Sequence, residues 1–213
     1  MATNNYSTRK QIKCPKPSEL LAEFLGIFLG DGSFGNRYQI FISWNHKCEE
    51  DYARYIQKIV RDLFGLESKI RIREKYGSAE VIISSSNLVD FVRRLLGLKA
   101  GKSKKLFKLP AWLSKNKRFK IGFSRGLFDS EGCVYCHQYH SNGKMYSYTK
   151  IAVTNYCDKI LSVFHHYLKD LGINSVKYRN RVHIYSAPDT VRFFELIGSN
   201  NSKNKIRFKK FSN

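Results

Sequence analysis

The sequence predicts an α+β fold: two pseudo-symmetric αββαββα units, each an antiparallel sheet backed by helices, joined at a two-helix interface. Three observations predict it. Segments of the first half recur in the same order in the second. Each half alternates between helical and strand-like hydrophobic periods. One helix in each half carries small residues four apart.

The recurrence is read directly. VIISSSNLVDFVRRLLG at 81–97 is echoed by VHIYSAPDTVRFFELIG at 182–198, with Val81, Ile83, Ser85, Leu95 and Gly97 matching Val182, Ile184, Ser186, Leu196 and Gly198. GIFLGDG at 26–32 returns as GLFDSEG at 126–132, and DLFGLESKIRI at 62–72 resembles KDLGINSVKYR at 169–179. Three matches in one order mark a duplication of a unit of roughly 100 residues.

Element by element, the first helix starts after Ser18, an N-cap preceded by Pro17, with Glu19 in its first turn. Gly32 is expected just past its end as a left-handed C′ residue. Strands follow over 33–44. Tyr52, Tyr55, Ile56, Ile59, Val60 and Phe64 recur at helical spacing in a helix over 48–64 that stops at Gly65. Strands at 68–74 and 79–85 and a helix at 87–96 complete unit one, residues 18–97. Unit two, residues 116–198, repeats this at 116–131, 133–140, 146–155, 157–171, 174–179, 181–186 and 188–197. Asn142-Gly143 signals a tight hairpin there, where unit one has only SFGNRY. Residues 1–17 read as a basic arm, 98–115 as a basic solvated linker and 199–213 as a basic mobile tail.

The chain has 213 residues, 38 Lys and Arg against 17 Asp and Glu, and a formal charge of +21. With 42% hydrophobic and 14% aromatic residues it can bury a core, which excludes wholesale disorder. No stretch approaches the ~18 apolar residues of a membrane span. The first residues, MATNNYSTRKQIKCPKP, lack an apolar signal core, and five irregularly spaced cysteines suit a reducing compartment, so an intracellular, non-secreted protein is expected. A folded, aromatic-rich polycation points to a polyanion, with nucleic acid the first candidate and an anionic membrane surface a weaker one.

The small-residue stripes are Gly26 and Gly30 in one helix and Gly122, Gly126 and Ser130 in the other. Glycine within a helix costs ~1 kcal/mol against alanine, so its repetition implies helices in close contact. Each helix ends in an acid before a glycine, Asp31-Gly32 and Glu131-Gly132. An acid at a helix C-terminus opposes the dipole, and two facing acids repel. A divalent cation reverses both penalties, since carboxylate oxygens are hard ligands suited to Mg²⁺. Paired metals can activate water and stabilise the leaving oxygen in phosphodiester cleavage.

In the segments FLGIFLGDG at 24–32 and SRGLFDSEG at 124–132, with GLKAGKSKKLFKLPAWL between the repeats, the chain resembles the LAGLIDADG homing endonucleases over about 18–210. The resemblance implies a monomeric, intron-encoded, site-specific double-strand DNA endonuclease. It implies metal-binding acids at Asp31 and Glu131, with Gly30 and Ser130 beside them in the metal set. The acid often found at the sixth motif position is Leu29 in the first copy and Asp129 in the second. A pocket lysine falls on Lys102, with Lys203 or Lys205 as its repeat partner in the divergent SNNSKNK segment. Mg²⁺, or another divalent cation such as Mn²⁺, is the implied cofactor.

The strands support a polyanion-binding surface independently. Lys69, Arg71 and Arg73 alternate with Ile70 and Ile72; Lys177, Arg179, Arg181 and His183 alternate with Val176, Tyr178, Val182 and Ile184. By the repeat register Ile40, Ile42, Ile151 and Val153 point inward, while Gln39, Ser43, Lys150 and Thr154 face out. Tyr135, His137 and Tyr139 share one face of the long hairpin, and Arg37 sits in the short one. A β-ribbon fits the DNA major groove, where Arg and Lys read guanine and Gln reads adenine. CVYCH at 133–137 matches a haem-attachment pattern, and His140 adds a fourth candidate zinc ligand. On a strand, Cys133 and His137 face away from Cys136 and His140, which disfavours both. The expected activity is Mg²⁺-dependent cleavage of double-stranded DNA at a long non-palindromic site. The alternatives are an RNA maturase acting on intron RNA and a cleavage-dead DNA-binding protein. The termini lack the residues of a whole intein, so a free-standing enzyme is expected.

Overall fold

The computed structural model describes residues 9–74, 77–99 and 106–212. Unit one runs α1 (Glu19–Asp31), β1 (Gly32–Asn36), β2 (Gln39–Trp44), α2 (Glu50–Phe64), β3 (Lys69–Arg73), β4 (Ser78–Ser84) and α3 (Ser86–Leu95). A short α4 (Trp112–Lys115) precedes unit two: α5 (Lys117–Glu131), β5 (Gly132–Ser141), β6 (Lys144–Thr154), α6 (Asp158–Asp170), β7 (Val176–Tyr178), β8 (Arg181–Ile184) and α7 (Ala187–Leu196). A final helix, α8 (Ser202–Ser212), follows. The sheets have matching antiparallel orders, β1-β2-β4-β3 and β5-β6-β8-β7. The α+β, two-unit architecture read from the sequence is therefore present.

Ser18 caps α1 by accepting the Leu21 N–H at 3.1 Å, and Ser85 and Ser186 cap α3 and α7 in the same way. The Asn142-Gly143 turn has both residues at positive φ, 51° and 74°, the geometry that suits a two-residue hairpin. Alternate strand residues are buried, among them Ile40, Ile42, Val81, Ile83, Ile151, Val153, Val182 and Ile184. They meet the apolar faces of the helices, where Phe24 packs edge-on against Phe64 and Phe128 against Phe193.

The two units meet through α1 and α5. A Cβ on Gly26 would lie 2.3 Å from the Phe123 carbonyl oxygen, and one on Gly126 would lie 2.1 Å from that of Glu23. The stripe thus exists because backbone touches backbone. Gly32 serves a different purpose from the one expected. Gly32 has φ −78° and opens β1, so no left-handed cap forms; a Cβ there would lie 2.5 Å from the Phe28 carbonyl oxygen and ring. Gly132 meets Phe128 in the same way.

Three further expectations are corrected. The tail is no mobile arm: Ser199, Asn201 and Asn204 are buried, and Phe208 of α8 stacks on Phe194 at 3.8 Å between centroids. The linker is not merely solvated, since Phe107 and Leu113 are buried and Lys108 N–H bonds Leu96 O at 2.8 Å. Nor is the N-terminal segment free along its described part, where Lys13 N–H donates to Phe64 O at 3.0 Å.

Candidate metal centre and nucleic-acid interface

The ends of α1 and α5 lie side by side. A Cβ on Gly30 would come within 2.6 Å of Ser130 Cβ and 3.1 Å of Glu131 Cγ, so the missing side chain is what admits Glu131 beside the residue preceding Asp31. A cleft opens there, lined by Leu29, Gly30, Ser130, Glu131, Asn155 and Tyr156 among others. Ser130 Oγ donates back to Gly126 O at 2.9 Å, which spends the hydroxyl proton inside the helix. Behind the acids, Tyr52 is fully buried; burial and the charges of Asp129 and Asp31 push its phenol pKa well up, opposed by the Ser130 hydroxyl. Of the expected metal-set residues, Gly30, Ser130 and Glu131 line this cleft, and Asp31 follows Gly30 as the last residue of α1.

Sequence reasoning missed Asn155. Its Nδ2 donates to Glu131 Oε1 at 2.6 Å, while its Oδ1 accepts the Cys157 N–H at 2.8 Å. Asn45 makes the matching turn in unit one, accepting the Lys47 N–H at 3.0 Å. The signal was present as an Asn directly after the second strand of each unit.

Asp129, the sixth-position acid, is turned away into a buried network. Ser199 Oγ donates to its Oδ1, and Asn200 N–H donates to Oδ2 at 2.7 Å. Burial pushes its pKa up to about 7, against those hydrogen bonds. Nearby, Arg125 crosses from α5 to α1, pairing with Glu23 at 3.0 Å and Glu19 at 2.6 Å. Glu23 is 1% exposed and also accepts from Tyr55 and Asn200. Lys203, expected as a pocket lysine, is ion-paired to Glu49 Oε1 at 2.5 Å. Glu49 is itself buried and accepts from Asn201 at 2.8 Å. The structure therefore gives Lys203 a role in tying the chain end to unit one. Lys102 lies outside the described residues.

Most of the residues expected to contact nucleic acid lie on the outer sheet faces. Strand partners directly opposite share a face, so Lys69, Arg71 and Arg73 stand with Ile82, Glu80 and Ser78 on the outer side. Glu80 sits between two arginines, 2.5 Å from Arg71 and 3.2 Å from Arg73, and Arg71 also covers the Phe41 ring. Arg37 is exposed in the β1–β2 turn. Gln39 faces outward but spends its amide on Ser84 and Asn36. In unit two Tyr135, His137 and Tyr139 pair with Lys150, Tyr148 and Tyr146 on the outer face, joined by Arg181 and His183. Burial, with Arg181 and Lys150 nearby, holds the His183 pKa below its ordinary value and favours the neutral ring.

Two residues of β7–β8 depart from expectation. Tyr178 pairs directly with Arg181, so Arg179 and Asn180 form a two-residue turn, with Arg179 at φ +49°. That turn reverses the parity of β7. Val176 and Tyr178 face outward, 50% and 62% exposed, and Lys177 shares the helix side with Val182 and pairs with Asp158. As expected, Cys133 and His137 lie on the opposite face from Cys136 and His140. All five cysteines are free thiols, and no described helix is long and apolar enough to cross a membrane.

The LAGLIDADG-like domain profile matches residues 18–96 and again 118–198. Two proteins of Methanocaldococcus jannaschii are similar in sequence. One is the replication factor C small subunit, 28% identical over 123 residues, 56% of this chain and 6% of that protein. The other is an uncharacterized protein, 24% identical over 183 residues, 80% of this chain and 61% of it. The chain thus spans only part of the length of both relatives. Among solved structures, the N-terminal LAGLIDADG domain of DUF199/WhiA superposes with a TM-score of 0.57 at 18% identity, over 84% of this chain and 81% of that one. I-DmoI in complex with DNA and Mn superposes with a TM-score of 0.54 at 22% identity, over 84% and 96%. I-DmoI, named as a homing endonuclease in a further structure, has also been solved with DNA and Ca. These likenesses show the fold, which WhiA and I-DmoI share, and activity must be argued from the site. With a domain matched in each half and motif helices packed glycine to backbone, the chain belongs to the LAGLIDADG family as a two-repeat member.

Proposed function

We propose that the chain is a site-specific double-strand DNA endonuclease that hydrolyses phosphodiester bonds at a long, non-palindromic target with a divalent cation, and that it acts as a monomer. The observation that carries this reading is the matched pair of carboxylates, Asp31 and Glu131, beside the glycine gap where α1 and α5 end.

The donor set fits Mg²⁺ or Mn²⁺. It offers hard oxygens from two carboxylates and from the Gly30 and Ser130 carbonyls at helix ends, where the dipole favours a cation. No cluster of three or more His, Cys, Asp or Glu able to hold a metal occurs among the described residues, and a Mg²⁺ site commonly leaves its other positions to water and phosphate. A bound divalent cation would supply a lowered water pKa and charge for the leaving oxygen. The chain's own contributions are positional. Asn155 fixes Glu131 through Oε1, Gly30 leaves the room that brings the helix ends together, and the outer strand faces hold the duplex through Lys69, Arg71, Arg73, Lys150, Arg181 and His183, with Arg37 added from the β1–β2 turn. The longer β5–β6 hairpin presents a different surface from β1–β2, which supports an asymmetric target.

The maturase and binding-only readings differ in outcome. Incubation with a randomised duplex library in Mg²⁺ is expected to yield cut fragments of one sequence, and EDTA is expected to abolish them. Intron RNA bound more tightly than any selected duplex, with no cleavage, would favour the maturase. Tight selection of a duplex with no cleavage would favour a binding protein.

A further inference from the structure

The β5–β6 ribbon runs beyond the sheet core, and residues 137–148 are all exposed. Val134 and Ile151 set its buried face, so His137, Tyr139, Tyr146 and Tyr148 lie on the outer face with Lys150, Arg181 and His183. The rings form a ladder. Tyr139 is 5.4 Å from Tyr146 at 19° and 5.9 Å from Tyr148 at 10°, and His137 is 5.9 Å from Tyr139. Each of the three tyrosines remains 37–43% exposed. No Asp or Glu occurs between 133 and 157, while Lys144 and Lys150 flank the rings. Cross-strand ring pairs also stabilise a ribbon, which explains the stacking. It does not explain why the tyrosines gather on the outer face, while Gln138, His140, Met145 and Ser147 occupy the other.

We infer that this tyrosine ladder reads thymine 5-methyl groups in the distal arm of the half-site held by unit two. The inference rests on the DNA reading above. A two-stranded ribbon enters the major groove, where thymine presents its methyl group to apolar side chains. The acid-free, lysine-flanked ribbon is electrostatically matched to duplex phosphate and is continuous with the Arg181 and His183 face. Contact between ring and methyl releases no counterion, so the tyrosines contribute affinity without adding to the salt dependence that Lys144 and Lys150 bring.

The test uses a duplex selected for binding from a randomised library, remade with deoxyuridine in place of thymine in one arm at a time. Deoxyuridine in the unit-two arm is expected to weaken wild-type binding about fourfold per contacted methyl, the worth of one buried methyl group. The same change in the other arm has no effect. Tyr139→Ala and Tyr148→Ala should weaken binding to the thymine duplex, remove the deoxyuridine penalty and leave the slope of log K against log salt unchanged. Tyr139→Phe should keep the penalty. An equal deoxyuridine effect in both arms, or none in the wild type, overturns the inference without recourse to any variant. Alanine variants that retain the penalty, or that lower the salt slope, also overturn it. A wild-type protein that selects no duplex over random DNA sinks the DNA reading itself, a separate outcome.

Discussion

Units one and two share strand order, cap positions and a glycine-striped helix, yet they show different surfaces. Unit one's outer face is ionic, with Lys69, Arg71 and Arg73 around Glu80. Unit two's is aromatic, with tyrosines along a ribbon of ten- and eleven-residue strands where unit one has strands of five and six. The difference teaches where a duplicated fold is constrained. Residues between helices and sheet must fill a close-packed interior, so Val81 and Val182 stay alike. Residues on the far face answer only to what binds there.

The largest expected effect falls on what the units have in common. Gly126→Ala drives a Cβ to 2.1 Å from backbone, which only parting the helices relieves, and should cost about 3 kcal/mol or more in urea unfolding. Gly143→Ala, at φ +74° on the ribbon turn with nothing near, should cost only about 1 kcal/mol. Equal costs would break the claim that the interface, not the ribbon, holds the fold.

A middle-sized effect separates the two faces. Replacing Arg71 and Arg73 together by Ala should lower the salt slope of DNA binding by up to about 0.9 for each phosphate left without its arginine. Glu80→Gln should raise affinity, because Glu80 holds both guanidinium groups in competition with phosphate. A salt titration on selected duplex reads both.

The smallest contrast lies in the caps. Ser85 caps α3 with Leu88 at the third position, whereas Ser186 caps α7 with Asp189 there. Burial raises the Asp189 pKa, but hydrogen bonds from Ser186 and Asn174 outweigh it and hold the carboxyl below its ordinary value. A depressed carboxyl stabilises above its unfolded pKa and loses that contribution as pH falls through the folded one. Asp189→Asn should therefore cost about 1 kcal/mol at pH 7, with the difference from wild type narrowing below about pH 4. The cost of Ser85→Ala should not change with pH. Melting curves across that range check both.

Local signals made most of the fold legible: Ser18 before a helix, Asn142-Gly143 in a turn, Ile40 and Ile42 in alternation. The acids were legible because they recur at one place in each copy. What stayed hidden depends on partners distant in sequence. The basic residues of 199–213 mask Phe208, whose ring finds Phe194, and Lys203, whose charge finds Glu49. Lys177 was misplaced because alternation was carried through Arg179 and Asn180, a turn without glycine. Asn155 gains its meaning only where β6 ends beside Glu131.

The central claim is that Asp31 and Glu131, one from each unit, form one cleavage centre. The direct measurement is cleavage of the selected duplex in Mg²⁺ by wild type, Asp31→Asn and Glu131→Gln, with binding followed in parallel. Both variants are predicted to lose double-strand cleavage while binding within about tenfold of wild type, as expected when an interaction made only in the transition state is removed. Full cleavage by either variant would contradict the account.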